Sequence, residues 1–248
     1  MAYPYYLATL RPWLAGMIKV HSGLVRTTQP QQQGILISIL GVKISVVESI
    51  KSILIQLWRR NNMKVLIACE MSGIIREAFK ARGHDAWSCD LMDTEIPGQH
   101  IKDDVLNHLN EGWDLMIAHP VCTFLCRNRA KLNKEQNIKP DTSLFMALLN
   151  ADIPKICVEN PVPSKLAQLP KYDQIIQPYH HGHDHSKKTC LWLKNLPKLQ
   201  PTNVVELTYI TTKNGHRYTK GWYNTPRNSI ARSRTFKGIA EAMAQQWG

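Results

Sequence analysis

Residues 63–90 read MKVLIACEMSGIIREAFKARGHDAWSCD, and their order decides the fold class. Lys64–Cys69 holds a short apolar run suited to a strand buried on both faces. Ser72-Gly73 interrupts it, Ile74–Arg82 has helical spacing, and Gly83 can end that helix. Asp85–Asp90 then reads as a second strand that finishes in an acid. Strand, glycine turn, helix, strand is a crossover unit, which pairs its two strands in parallel.

Moving downstream, Trp113–Ala118 is a third strand and Lys155–Glu159 a fourth, with a helix at Thr142–Asn150 between them. The alternation predicts an α/β fold with a mostly parallel sheet and helices on both faces. Beyond Pro161 the strands are short, at Gln174–Gln177, Thr189–Leu193 and Val204–Ile210, and Gly238–Trp247 reads as a closing helix. Residues 1–62 have a different texture. A polar breaker runs from Thr27 to Gly34, Val46–Trp58 has amphipathic helical spacing, and Arg59-Arg60-Asn61-Asn62 is a polar stop. The domain pattern begins at Met63, so residues 1–62 are expected to be an N-terminal extension of unknown role, upstream of the natural start.

Across 248 residues, 31 Lys and Arg stand against 19 Asp and Glu, a net charge of +12. Lys187–Lys237 concentrates it, with eleven basic residues against Glu206. Such a basic C-terminal region fits a polyanionic partner, with nucleic acid first, or else a solvated basic surface. The 44% hydrophobic content excludes a disordered chain. Six cysteines are scattered without a paired framework, which fits a reducing cytoplasm, and no signal-peptide pattern opens the chain. Gly34–Trp58 is broken by Lys43, Glu48 and Lys51, which argues against a membrane span.

In open parallel sheets, ligands bind beyond the carboxyl ends of the strands. Strand one ends at Cys69, followed by Glu70, Met71, Ser72 and Gly73, where a glycine lets backbone approach a ligand. Strand two ends at Asp90, placed to accept from a ribose diol or to cap a turn. Asp103 and Asp104 are further acids or helix caps. Strand three runs into His119-Pro120-Val121-Cys122, where proline can hold a thiol rigidly. A nucleophilic Cys122 would need electropositive neighbours, and Arg127, Arg129 and Lys131 are the nearest in sequence; the alternative is a buried structural cysteine. Strand four ends in Glu159-Asn160-Pro161, and a carboxyl entering a pocket from a buried strand is expected to have a raised pKa and to hold a proton. Arg232-Ser233-Arg234, if extended, would put both arginines on one side.

Taken together, the turn glycine, strand-end Asp, Pro-x-Cys, Glu-Asn and Arg-x-Arg stand in an order that resembles the DNA cytosine-5 methyltransferase family. Met63–Gly248 is most similar to the compact cytosine-methylase-like proteins of phages and prophages, so the resemblance leaves out residues 1–62. It implies a Rossmann-like, S-adenosyl-L-methionine (AdoMet)-dependent methyltransferase fold acting on DNA in a bacterial or phage-infected cytoplasm. Cys122 is then the nucleophile on the Pro120 loop, with Glu159, Arg232 and Arg234 completing the catalytic set. Glu70, Ser72, Gly73, Ile74 and Pro120 would border the cofactor, with Asp90 toward its ribose and Asp104 near its adenine. The chain departs from the family at Met71, where an aromatic residue is usual, at Pro161 in place of valine, and at Ile230 in place of glutamine. The family's glycine-rich first motif is also reduced to the single Gly73, which leaves room for a nucleic-acid-binding relative without methyl transfer; another C5-pyrimidine modification begun by thiolate addition is a third reading.

His180, His181, His183, His185 and Cys190 form the densest group of potential zinc ligands, but without a Cys-x-x-Cys the expectation is no metal and a polar loop contacting DNA. Cys122 and Cys126 are spaced to lie one helical turn apart. Trp192, Trp222 and Tyr223 are candidates for stacking on unpaired bases or for packing.

Overall fold

The computed structural model describes residues 62–248; the expected Val46–Trp58 helix and the N-terminal extension lie outside the described residues. Seven strands form one sheet: β1 (Lys64–Ala68), β2 (Asp85–Asp90), β3 (His100–Lys102), β4 (Leu115–Ala118), β5 (Lys155–Pro161), β6 (Gln174–Ile176) and β7 (Thr189–Lys194). Their spatial order is β3-β2-β1-β4-β5-β7-β6. Neighbours from β3 through β5 pair in parallel, and β7 runs antiparallel to both β5 and β6. This is a Rossmann-like, mostly parallel sheet with one reversed strand. The strand order changes direction between β1 and β4, and a ligand crevice opens at such a point.

Side-chain alternation along β1 divides the core. Val65 and Ile67 face α1 (Ile74–Lys80) together with the C-terminal helix, while Leu66 and Ala68 face the opposite layer. In chain order the other helices are α2 (Ala130–Glu135), α3 (Ser143–Leu149), α4 (Lys220–Asn224), α5 (Ser229–Ser233) and α6 (Lys237–Trp247). On the first face, Ile239, Ala240, Met243 and Trp247 of α6 pack with Ile75 and Phe79 of α1, the alanines keeping the two helices close. On the second, Phe145 and Leu148 of α3 meet Trp192 of β7, with Phe145 and Trp192 edge to face at 4.9 Å. Trp192 is therefore a core residue, and its indole N–H donates to the Pro170 carbonyl.

A separate two-stranded hairpin, β8 (Tyr209–Thr211) and β9 (Arg217–Thr219), carries the basic C-terminal region. The strand expected over Val204–Ile210 is confined to its end. Upstream, the Val205 amide bonds the Tyr179 carbonyl and the Thr208 amide bonds Asp184, so neither serves a strand ladder. The extended Arg232-Ser233-Arg234 is also corrected. Asn228 Oδ1 accepts from the Ala231 amide at 2.7 Å and starts α5, which places Arg232 on a helix and Arg234 just past its end. Among the described residues no helix is long and apolar enough to cross a membrane.

Candidate active site

The carboxyl ends of β4 and β5 lie side by side, with Ala118 opposite Val158. The chain leaving β4 is held on both sides. His119 donates its amide to Ala68 of β1 at 2.9 Å, and the Pro120 carbonyl accepts from Asn160 Nδ2 at 3.2 Å. Asn160 is fully buried, so β5 anchors the loop that carries Cys122. Past that loop the chain turns: the carbonyl of Cys122 accepts from the amides of Leu125 and Cys126, the one-turn spacing expected for the two cysteines.

Burial pushes the Cys122 thiol up, the neighbouring Cys126 and Glu159 push it further, and Lys187 opposes them. Lys187 is the cation whose charge acts on the Cys122 thiol. Of the three cations expected in that role, Arg129 lies over the Phe124 ring at 5.5 Å, Lys131 pairs with Glu135 on the surface, and Arg127 borders an open cavity. No periodicity flags Lys187, which sits 65 residues downstream of Cys122 in sequence.

Glu159 corrects the expectation of a raised pKa. Burial does push its carboxyl up. The hydrogen bond from His119, the charges of His119 and Lys187, and the Thr189 hydroxyl outweigh that burial and hold it below the usual carboxylate range. His119 Nδ1 lies 2.8 Å from Glu159 Oε2. His119, Lys187 and Thr189 are thus site residues that sequence reasoning missed as functional groups. The signal for His119 was present in its place directly beside Pro120, but nothing in the sequence pairs it with Glu159.

Arg232 and Arg234 reach the same region by different routes. Lys187 Nζ donates to the Arg232 carbonyl at 2.9 Å. The Arg232 guanidinium lies over Trp222 at 4.9 Å, and Trp222 stacks on Tyr218 at 4.7 Å with the rings nearly parallel. Arg234 forms a two-pronged ion pair with Glu95, Nη2 to Oε1 at 2.6 Å and Nε to Oε2 at 2.7 Å. Both arginines border an open cavity of about 740 Å³ that also takes in Cys126, Arg127, Lys187 and Trp222. Its wall is basic and partly aromatic.

At the end of β1 the chain turns through Cys69, whose φ of 57° is left-handed, and through Gly73, whose φ is 75°. Glu70 closes this turn from within. Its Oε2 accepts from the Gly73 amide at 3.0 Å and its Oε1 accepts from the Ser72 hydroxyl, while Ser72 Oγ in turn accepts from the Ile74 amide. A side chain at Gly73 would meet the Arg76 guanidinium at 2.7 Å and Ile96 at 3.1 Å, so glycine is needed here for packing as well as for backbone. Arg76 is fully buried and bonds Ser88, Thr94, Glu77 and the Ile96 carbonyl. On this side the turn is filled. On the other side, burial, then Asp90, Cys89 and Asp104, push the Cys69 thiol up to about 12, which puts both acids close to the end of β1. Asp90 Oδ1 accepts from the Met92 amide, Asp104 Oδ1 caps the short helix at Val105–His108, and Leu91 and Met92 beside them are exposed. Carboxylates beside exposed apolar side chains are groups that can accept from a ribose diol and pack on a base.

The histidine-rich loop packs against the C-terminal helix. His183 Nε2 accepts from the Gly238 amide at 2.9 Å, and the His183 and His185 rings rest on Phe236. His181 bonds Thr202, and Cys190 is buried in β7. Among the described residues no group of three or more His, Cys, Asp or Glu is placed to hold a metal ion.

No protein-family model matches the chain, and no curated protein matches it in sequence. Among solved structures it is similar to a DNMT2 mutant from Spodoptera frugiperda, at 14% identity over 58% of this chain and 54% of that one, with a TM-score of 0.36. It is also similar to the 16S rRNA methylase RmtB, at 16% identity over 72% of this chain and 80% of that one, with a TM-score of 0.30. The chain therefore spans about half the length of the DNMT2 chain. Both likenesses are distant, and the chemistry is read from the side chains.

Proposed function

We propose that this protein methylates C5 of cytosine in DNA, with AdoMet as methyl donor and Cys122 as covalent nucleophile. The observation that supports the reading best is the adjacency of a thiol and a carboxyl at the ends of β4 and β5, close enough for Glu159 to act on Cys122 electrostatically. A pyrimidine ring needs both: a sulfur at C6 and a hydrogen-bonding acid at N3. Sγ of Cys122, its proton having passed to solvent, adds to C6. Glu159, ionised at rest, must take up a proton to hydrogen-bond N3 as an acid, which leaves C5 electron-rich. When bound, AdoMet supplies an electrophilic methyl group to C5. Loss of the C5 proton and expulsion of Cys122 restore the ring.

Asp90 and Asp104 would hold the ribose and adenine ends of the donor, while Glu70 and Ser72 shape the turn from behind. Pro120 and Asn160 fix the thiol loop. Arg232, Lys187 and Trp222 line the open cavity in which an extruded or single-stranded base and its phosphates would lie. The test is transfer of a labelled methyl group from AdoMet to cytosine-containing DNA and RNA, with 5-methylcytosine as the product to be identified. Labelled DNA supports the reading; labelled RNA alone corrects the substrate.

A second reading has one observation in its favour. Arg76 and Ile96 fill the space beside Gly73, which suits a nucleic-acid-binding relative that has lost methyl transfer. Calorimetry with AdoMet separates the two, because only the enzyme needs to bind the donor.

A further inference from the structure

Glu159 has a partner that the Glu-Asn motif does not call for. His119 and Glu159 are bonded at 2.8 Å, with side chains only 12% and 18% exposed. Because the carboxyl is held in its ionised form, the bond fixes the ring: Nδ1–H donates and Glu159 Oε2 accepts. The other ring nitrogen, Nε2, is buried and has no hydrogen-bond partner. His119 and Glu159 border a cavity of about 20 Å³, enough for one water, whose wall includes Lys187, Thr189 and Arg234.

The charged and titratable groups around the pair come from five places in the fold. Lys187 acts on Glu159 from the loop before β7, and Arg234, matched by Glu95, comes from the end of α5. Cys122 on the β4 loop, Cys157 on β5 and Cys190 on β7 all feel the carboxylate. An ionised acid in this setting can protonate a ring nitrogen only if a proton is delivered to it.

We propose that His119 is a positioning residue that also relays protons from solvent to Glu159, and this inference rests on the cytosine methylation reading. The thiol proton of Cys122 passes to solvent. As Sγ adds to C6, the Nδ1 proton of His119 passes through the ionised Glu159 to N3, and Nε2 takes from the water of the small cavity a proton that solvent replaces. After methyl transfer the C5 proton leaves to solvent, Cys122 is expelled as the thiolate and recovers a proton from solvent, and the N3 proton returns through Glu159 to Nδ1 as Nε2 gives its own back. The ring ends each cycle in its starting tautomer, and one proton is released overall.

His119→Asn separates positioning from relay, since its amide nitrogen can still donate to Glu159 but cannot pass a proton on. The relay predicts a kcat for methyl transfer about 100-fold lower, the scale of general acid–base catalysis. It also predicts KM values for AdoMet and DNA within about twofold of wild type, and a remaining rate that falls about tenfold per pH unit as pH rises, following the protonated fraction of Glu159. In the wild-type protein, ring ¹⁵N shifts should show the Nδ1–H tautomer, a readout that needs no turnover. A His119→Asn variant with wild-type kcat and pH profile, or an Nε2–H tautomer, overturns the relay and leaves the methylation reading standing. Absence of methyl transfer by the wild-type protein overturns that reading, and the relay with it.

Discussion

Asn160 Nδ2 donates to the carbonyl of Pro120, and through that one bond the strand carrying Glu159 holds the loop carrying Cys122. The bond is fully buried on the asparagine side. In the proposed reaction the adjacent acid and asparagine divide the work: the acid would face the base, and the asparagine holds the loop that carries Cys122.

Asn160→Ala leaves the Pro120 carbonyl without its donor and is expected to cost about 1–3 kcal/mol of stability. Urea unfolding measures this. Methyl transfer should fall through kcat more than through KM, because the loop loses its position while the open cavity keeps its walls. Wild-type kcat in a folded Asn160→Ala protein would show that the bond does not set the geometry.

Glu95 and Arg234 are 139 positions apart, yet they form the ion pair that borders the cavity. The hydrogen bond from Arg234 holds the Glu95 carboxyl below its usual range, with burial opposing weakly. Glu95→Gln should release the guanidinium to a DNA phosphate. The slope of log affinity against log salt concentration should then steepen by about one unit. Fluorescence anisotropy over a salt series reads it, and an unchanged slope would mean that Arg234 does not face the nucleic acid.

The sheet was legible because its strands are buried and apolar. β2 falls on the expected Asp85–Asp90, and β1, β4 and β5 differ from expectation by one or two residues at an end. β3 was not legible: three residues, His100-Ile101-Lys102, at the sheet edge carry no alternation. The site divides in the same way. Cys122 and Glu159 stand at strand ends, where local pattern points. Lys187, Thr189 and Glu95 reach the site only through the fold, and Arg234 was visible as a residue but not as half of an ion pair. α5 could have been read from Asn228, a good helix cap.

The histidine loop predicts an acid-sensitive fold. Burial, then the charges of His180 and His183, lower His181 to about 4; burial also lowers His183 and His185. The unfolded chain binds these protons near the ordinary histidine value of ~6.5, so it gains protons first as pH falls. Stability from these residues is full above pH ~6.5 and is lost between there and about 4. Thermal unfolding at a series of pH values should show Tm falling through this window, and His181→Gln should flatten the fall. A Tm that is level across the window would contradict the buried, neutral loop.

The central claim is covalent attack by one sulfur, and the most direct measurement is trapping on DNA containing 5-fluorocytosine in the presence of AdoMet. Fluorine at C5 cannot leave as a proton, so the adduct persists and its peptide can be mapped by mass spectrometry. The account predicts an adduct at Cys122 in the wild-type and Cys126→Ala proteins. It predicts none in Cys122→Ala, which should still bind DNA. An adduct at Cys126, or none at all while AdoMet and DNA are both bound, would contradict it.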